Sequence, residues 1–281
     1  MSARVWLNGV LLAASEARIA PDDRGFTLAD GVFETLLVLN GHIVRLDAHL
    51  ARLVAGAAAL GIPLPAEPSA IAEAMRRTVA ANGLDEAPRA SLRITLTRGA
   101  GARGLASPAR PAPTLLMAAA AAPPPPAALC VVTSSIRKLK TGPASALKTL
   151  AYTDHILARR EAEAAGAEEA LMLSQAGGIA CASAANLFAV SNGALVTPPD
   201  DGAIRCGVAR ADLLALARAR GIETAERPLS TTELQAAEEI LLTNSLIGAC
   251  PVTRLDGAVR QAGPVTQMLA RALDAAWAGE S

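Results

Sequence analysis

Lysine is almost absent from this chain: 281 residues hold only Lys138, Lys140 and Lys148, although arginine is abundant. Aromatic residues are also few, and Tyr152 is the single tyrosine. The four cysteines, Cys130, Cys181, Cys206 and Cys250, are widely spaced, with no CxxC pair. That spacing argues against a disulfide framework and a structural zinc site, and it fits a reducing cytoplasm. The formal net charge is zero, with neither a basic stripe for nucleic acid nor an acidic tail. Arg, Pro and Gly interrupt every apolar run before the roughly 18 residues that a membrane span needs. The opening Arg4-Val-Trp-Leu-Asn8-Gly9 alternates instead of forming a charged start and an apolar stretch, so no signal peptide is expected. No GxGxxG or GxxxxGK[ST] occurs, so a nucleotide fold is not indicated.

Local signals divide the chain. Asn8-Gly9 and Asn40-Gly41 each sit between apolar runs and predict hairpins over residues 4–13 and 32–46. Between them, residues 22–31 read as a polar, Gly-punctuated loop. Helical periodicity covers about 46–60, stopped by Gly61, and about 69–81, stopped by Asn82-Gly83. Strands are expected at 91–97 and 114–118. Strands, helices and strands in that order predict an α+β domain over residues 1–121. Pro123-Pro-Pro-Pro126 can continue neither a helix nor a central strand, so residues 122–127 read as a linker. Residues 128–281 form the larger, α/β part. Strands are expected at 129–134, 170–173, 186–190, 194–197 and 239–243. Helices are expected from Thr153 or Asp154 to about 166, over 209–220 and over 265–278.

Where arginine fills nearly every cationic position, a lysine that arginine cannot replace points to amine chemistry, because a guanidinium does not deprotonate or form a Schiff base. Taken alone, Lys148 is better explained as an ordinary solvated cation. Three further stretches could cradle a phosphate. Gly207 stands just ahead of a predicted helix, whose free amides suit an anion. Thr243-Asn244-Ser245 follows a strand. Arg52 lies on an amphipathic helix. A reactive lysine and an anchored phosphate are what pyridoxal phosphate requires.

The chain resembles the fold-type IV pyridoxal-phosphate enzymes. These comprise the branched-chain aminotransferases, the D-amino acid aminotransferases and aminodeoxychorismate lyase. The resemblance rests on Trp6-Leu-Asn8-Gly9, Asp23-Arg24-Gly25 through Asp30-Gly31-Val-Phe33-Glu34-Thr35, His49-Leu-Ala-Arg52-Leu53, Thr97-Arg98-Gly99, Lys148-Thr-Leu-Ala-Tyr152, Ala184-Ala-Asn186-Leu-Phe188, Gly207-Val-Ala-Arg210 and Glu239 through Ser245, then Pro251-Val252. They recur in family order from end to end.

The resemblance implies that Lys148 binds pyridoxal 5'-phosphate and moves the proton at the substrate carbon. It implies a phosphate cup of Arg52, the Val208 and Ala209 amides and Ser245, with Ala209 standing where the family usually has Thr. Tyr152 would lie near the cofactor's phenolic oxygen, Thr35 would face the cofactor, and Arg103 would meet a substrate carboxylate. Leu105 stands where D-amino acid enzymes carry a His of their carboxylate trap. Cys181 takes the position of the family Glu that pairs with the cofactor's ring nitrogen, and Ala151 stands where lyase-like members often have Asn. A buried thiol stays neutral and cannot do that carboxylate's work.

The stretches Leu242 to Pro251-Val, Leu157-Ala-Arg-Arg160-Glu161 and Arg103-Gly104 favour aminodeoxychorismate lyase, which yields 4-aminobenzoate and pyruvate. The alternative is a D-amino acid or branched-chain aminotransferase. A third possibility, motivated by Cys181, is a cofactor-binding protein with little turnover. The resemblance also implies a homodimer and a small amino substrate.

Overall fold

The computed structural model describes residues 3–139, 142–200 and 204–279, so Lys140 lies outside the described residues. The chain forms two compact units. One holds the residues up to Pro123 together with Leu147–Ala151, and the other holds the rest.

The first unit begins with the hairpin Arg4–Leu7 (β1) and Val10–Ala13 (β2). Its turn residues Asn8 and Gly9 both have positive φ, the backbone that a tight primed turn demands. The segment read as a loop contains a short helix, Arg24–Leu28 (α1). The Asp23 carboxylate makes it possible by accepting the Gly25 N–H as an N-cap. Gly31–Leu39 (β3) turns at Asn40-Gly41 into His42–Ile43 (β4). That strand is shorter than the apolar pattern suggests, because Arg45 adopts left-handed backbone and opens Leu46–Ala59 (α2). Pro68–Ala80 (α3) follows, starting on a proline, which costs no hydrogen bond in a first turn. Ala90–Thr97 (β5) and Thr114–Ala121 (β6) complete a six-stranded antiparallel sheet of order β2-β1-β6-β5-β3-β4.

One face of this sheet packs on α2 and α3. Leu36, Val38, Leu92, Ile94 and Met117 meet Leu53, Ile71, Met75 and Val79 there, all buried. The pleat sends alternate residues of β3 to opposite faces. Glu34 therefore joins Leu36 on the helix side, and Phe33 and Thr35 point the other way. On its outer edge, β3 pairs with β4 only at Val38 and Leu39. The start of β3 is thus open on that side, and residues 148–150 fill it. Phe33 N–H donates to Lys148 C=O (3.0 Å) and Leu150 N–H donates to Gly31 C=O (3.0 Å). Lys148 is thereby fixed by backbone bonds to the first unit.

The second unit contains Leu129–Lys138 (β7), Thr153–Ala164 (α4), Glu169–Ser174 (β8), Ile179–Ala182 (β9), Asn186–Ser191 (β10) and Ala194–Thr197 (β11). Then come Val208–Ala219 (α5), Thr224–Glu226 (β12), Thr231–Ala236 (α6), Glu239–Asn244 (β13), Gly248–Leu255 (β14), Ala258–Val259 (β15) and Pro264–Ala278 (α7). The nine strands form one sheet of order β12-β11-β10-β13-β14-β7-β8-β9, with β15 beside β14. Pairs β11·β12, β14·β7 and β7·β8 are parallel and the others antiparallel. Neither Thr153 nor Asp154 caps α4. The cap position is Tyr152, without a side-chain bond. The helix is held instead by packing, with Ala158 and Ala162 wholly buried against β7 and β8. Helix α7 is tied to α5 by Trp277 Nε1–H donating to Asp212 (2.8 Å).

Leu36 is fully buried on the helix side of β3. Leu36→Ala leaves a cavity there and is expected to cost the first unit about 3 kcal/mol. Denaturant unfolding checks this, and a loss under about 1 kcal/mol would show that the site collapses to fill the space.

Candidate active site

In the first unit, the site is built on the two faces of β3. On the helix face, the Glu34 carboxylate is wholly buried and receives three hydrogen bonds. Arg52 Nε–H donates to Oε1 (2.7 Å), Arg52 Nη2–H donates to Oε2 (2.7 Å) and His49 Nδ1–H donates to Oε2 (2.7 Å). This fork-on-fork pairing fixes the Arg52 guanidinium in one orientation with part of it exposed. Burial alone would raise the Glu34 pKa, but Arg52 and His49 outweigh it and hold the carboxyl at about 2, below its ordinary 4.5. On the opposite face, the Lys148 amine sits 4.1 Å from the centroid of the Phe33 ring, and the Arg93 guanidinium lies 3.8 Å from it. Thr35 shares that face with Phe33. Arg103 lies exposed in the segment between β5 and β6.

In the second unit, the first turn of α5 follows Gly207, which offers no side chain to cap it. First-turn amides have no partner within their own helix. Asn186 fixes their approach: its Oδ1 accepts Gly207 N–H (3.0 Å) and its Nδ2–H donates to Arg205 C=O (3.0 Å). A Cβ on Gly207 would come within 2.4 Å of that Asn186 oxygen, so glycine is required. Ser245 lies in the turn between β13 and β14, which Asn244 shapes by accepting the Leu246 and Ile247 N–H groups (2.8 and 2.9 Å). Thr243, paired with Asn186 across the sheet, is buried with a hydroxyl that has no hydrogen-bond partner. Uncapped first-turn amides, a glycine approach and an orphaned hydroxyl make a cradle that fits a phosphate.

Cys181 lies on β9, buried with Ala180 and Ile204. Burial pushes its thiol pKa up, Lys138 and Arg205 pull it down, and the net shift is upward. The group is a neutral thiol at ordinary pH. Glu169, the buried carboxylate nearest in the sheet, is occupied elsewhere. It accepts from the Ser183 hydroxyl and from the Ser183 and Ala170 N–H groups (3.2 and 2.7 Å), and so holds the turn after β9. Tyr152 stacks on His155 (centroids 4.6 Å apart), and the Arg205 guanidinium lies 5.9 Å from the Tyr152 ring. His155 Nδ1–H donates to Ser183 C=O (2.6 Å), which leaves Nε2 to accept from the Lys138 ammonium (3.1 Å). Burial and the Lys138 charge lower the His155 pKa to about 4, so the ring is neutral.

Each predicted residue thus has a definite place. Thr35, Arg52, Arg103 and Lys148 lie in the first unit, and Tyr152, Cys181, Val208, Ala209 and Ser245 lie in the second. Within the second, Tyr152 and Cys181 share the Arg205 and Lys138 environment. Sequence reasoning missed the roles of Glu34, His49, Lys138, His155 and Arg205, whereas Thr243 stood in a stretch already singled out for a phosphate. Glu34 and His49 stood in quoted motifs, but their role depends on a pleat meeting a helix 15 to 18 residues later.

Residues 31–255 match the family model for amino-transferase class IV. The chain belongs to the class IV aminotransferases, and it is accordingly a pyridoxal-phosphate-dependent enzyme of fold type IV. A relative from Methanocaldococcus jannaschii, named "Putative branched-chain-amino-acid aminotransferase", is 32% identical over 95% of this chain and 93% of its own. The branched-chain aminotransferase structure from Thermoproteus uzoniensis superposes with a TM-score of 0.93 at 27% identity, covering 100% of this chain and 96% of that one. A structure from Legionella pneumophila titled "Putative 4-amino-4-deoxychorismate lyase" gives 0.86 at 26% identity, covering 93% and 96%. Among the described residues, no helix is long and apolar enough to cross a membrane.

The two perturbed groups act in separate pH windows. His155 has a depressed pKa, so its contribution is complete above pH 6.5 and is lost as pH falls through about 4. Glu34 contributes fully above pH 4.5 and loses its contribution as pH falls through about 2. Urea unfolding followed against pH should therefore show a slope of at most about 1.4 kcal/mol per pH unit below pH 6.5 that His155→Gln abolishes. In Glu34→Gln the upper slope should persist while overall stability drops by roughly 3 kcal/mol, the cost of stranding Arg52 and His49. An unchanged upper slope in His155→Gln would contradict the assignment.

Proposed function

We propose that this enzyme is an aminodeoxychorismate-lyase-like catalyst, converting 4-amino-4-deoxychorismate into 4-aminobenzoate and pyruvate. The observation that carries this reading is the buried, neutral Cys181 thiol where the resemblance puts a carboxylate. When bound, the cofactor links to the substrate's amino nitrogen and acidifies the neighbouring C–H. Transamination must then hold negative charge at that carbon until a proton arrives elsewhere, and a carboxylate that keeps the ring nitrogen protonated drains that charge. Elimination needs this less. Lys148 would take the proton from the carbon bearing nitrogen, the electron pair would form the new ring double bond, and the neighbouring C–O bond would break to release enolpyruvate, which takes up a proton at its methylene carbon to become pyruvate. Aromatisation drives the step.

The chain's own residues supply the remaining roles. In the first unit Arg52, locked by Glu34, offers its guanidinium to a phosphate, and in the second the Val208 and Ala209 amides with Ser245 offer a phosphate cradle. Thr243 offers a further hydroxyl. Lys148 holds the cofactor and serves as the base. Tyr152 orients the ring's phenolic side, Thr35 faces the cofactor and Arg103 receives a substrate carboxylate. Phe26 and Leu105 are more than 80% exposed, which supports a homodimer.

A second reading, a branched-chain or D-amino acid aminotransferase, is favoured by the names of the relatives. The two separate in one assay. With aminodeoxychorismate and no keto acid, a lyase releases pyruvate, detected through lactate dehydrogenase, and Lys148→Ala abolishes the release. L-leucine or D-alanine turning over with a keto acid while aminodeoxychorismate yields no pyruvate would sink the lyase reading in favour of the second.

A further inference from the structure

The residues between β5 and β6, 98–113, carry Arg103 and contain neither helix nor strand. Such a segment needs something to fix its shape, and the structure provides it in a side chain far away in sequence. Arg24 opens α1 and is only 5% exposed. Its Nη1–H groups donate to Gly104 C=O and Ala106 C=O (both 3.2 Å), and its Nη2–H donates to Leu105 C=O (3.3 Å). Three consecutive carbonyls thus converge on one guanidinium, directly after Arg103. The aliphatic stem of Arg24 lies under Gly101, where a Cβ would come within 2.8 Å of Arg24 Cδ.

The guanidinium is itself held. Arg24 Nε–H donates to Asp30 Oδ2 (2.8 Å). Asp30 also receives Arg98 Nε–H and Nη2–H (2.7 and 3.1 Å), and Arg98 grips Leu60 C=O and Gly61 C=O at the end of α2 (2.7 and 2.8 Å). The mouth of the segment is closed by Asp23, whose Oδ2 accepts the hydroxyls of Thr97 and Thr114 (3.0 and 2.7 Å). Arg24 N–H donates to Gly99 C=O (2.9 Å), and Gly101 N–H donates to Asp22 C=O (3.1 Å).

We propose that Arg24 is a positioning residue for substrate recognition: its guanidinium, aimed by Asp30, sets the backbone of residues 104–106 and so the place from which Arg103 meets the substrate carboxylate. The role of Arg103 rests on the function proposed above, whereas the grip of Arg24 on the segment does not. A planar fork with five donors can span three carbonyls and a carboxylate. A lysine ammonium, a point charge with three donors, can answer Asp30 but cannot reach across them.

The test uses Arg24→Lys in the full chain loaded with cofactor, read in two ways. Trypsin cuts after arginine unless proline follows, so the exposed Arg103, ahead of Gly104, is the reporter inside the segment. Losing the bonds to three carbonyls should speed cleavage there at least about tenfold, with the cofactor's visible band unchanged. Steady-state kinetics should show KM for the carboxylate substrate rising by about the same factor with kcat little altered, and Arg103→Gln should show the same split. Unchanged cleavage at Arg103 in a folded Arg24→Lys protein overturns the proposal. So does faster cleavage with unchanged KM when Arg103→Gln does raise KM. If Arg103→Gln leaves KM unchanged, the substrate role of Arg103 fails and with it the recognition half of the proposal; the cleavage rates then decide the grip on the segment alone.

Discussion

Strand β3 and its two-residue pleat are the constraint from which the rest of the first unit follows. One face buries Leu36 and Val38 against α2 and α3, which fixes the strand's register and with it every other residue on that strand. Glu34 falls among those apolar side chains, where an unpaired carboxylate would be costly. The cost is offset by His49 and Arg52, three and six residues into the facing helix. On the other face the same register presents Phe33 and Thr35 beside the Lys148 amine. Slipping β3 by one residue would turn Phe33 and Thr35 toward the helices and turn the carboxylate and its arginine away from each other.

The second unit solves a complementary problem with fewer charges. Its cradle is made from backbone: uncapped amides of α5, a glycine that Asn186 would not allow to grow, and a turn that Asn244 shapes. Backbone donors need no ordering at the moment of binding. Around Cys181 the balance differs. Lys138 and Arg205 put positive charge near a neutral thiol, and the carboxylate of Glu169 is committed to Ser183. His155 stays neutral because burial and the Lys138 ammonium facing its Nε2 outweigh the Ser183 carbonyl, which alone would favour the charged ring.

Much of the fold was legible in the sequence because the signals were local. Asn8-Gly9 and Asn40-Gly41 made hairpins through their positive φ, and Gly61 and Gly83 closed helices in the same way. The misses have physical reasons as well. β9, in Ile179–Ala182, is four buried residues without alternation, so no period marks it. β14 contains Pro251, which argues against a central strand. It is tolerated because pairing to β7 begins only at Val252 and runs through a bulge, so no ladder partner is lost at the proline. α1 and α6 are shorter than any window in which helical periodicity can be read, so their local caps, Asp23 and the Ser230–Glu233 capping box, were the only signals there and were passed over.

The sequence by itself determined the family and singled out Lys148 and three candidate phosphate stretches, because a scarce residue type and ordered motifs are properties of composition and order. It also exposed Cys181, since a substitution within a motif is visible without coordinates. Only the tertiary structure decided what surrounds those residues. Arg52 acquired its partner from a strand 18 residues away, Lys148 was returned to the edge of β3, and Arg24 reached 80 residues forward to Gly104. Such pairings are chosen by sheet register and burial. A buried charge takes whatever partner the packed elements bring within about 3 Å.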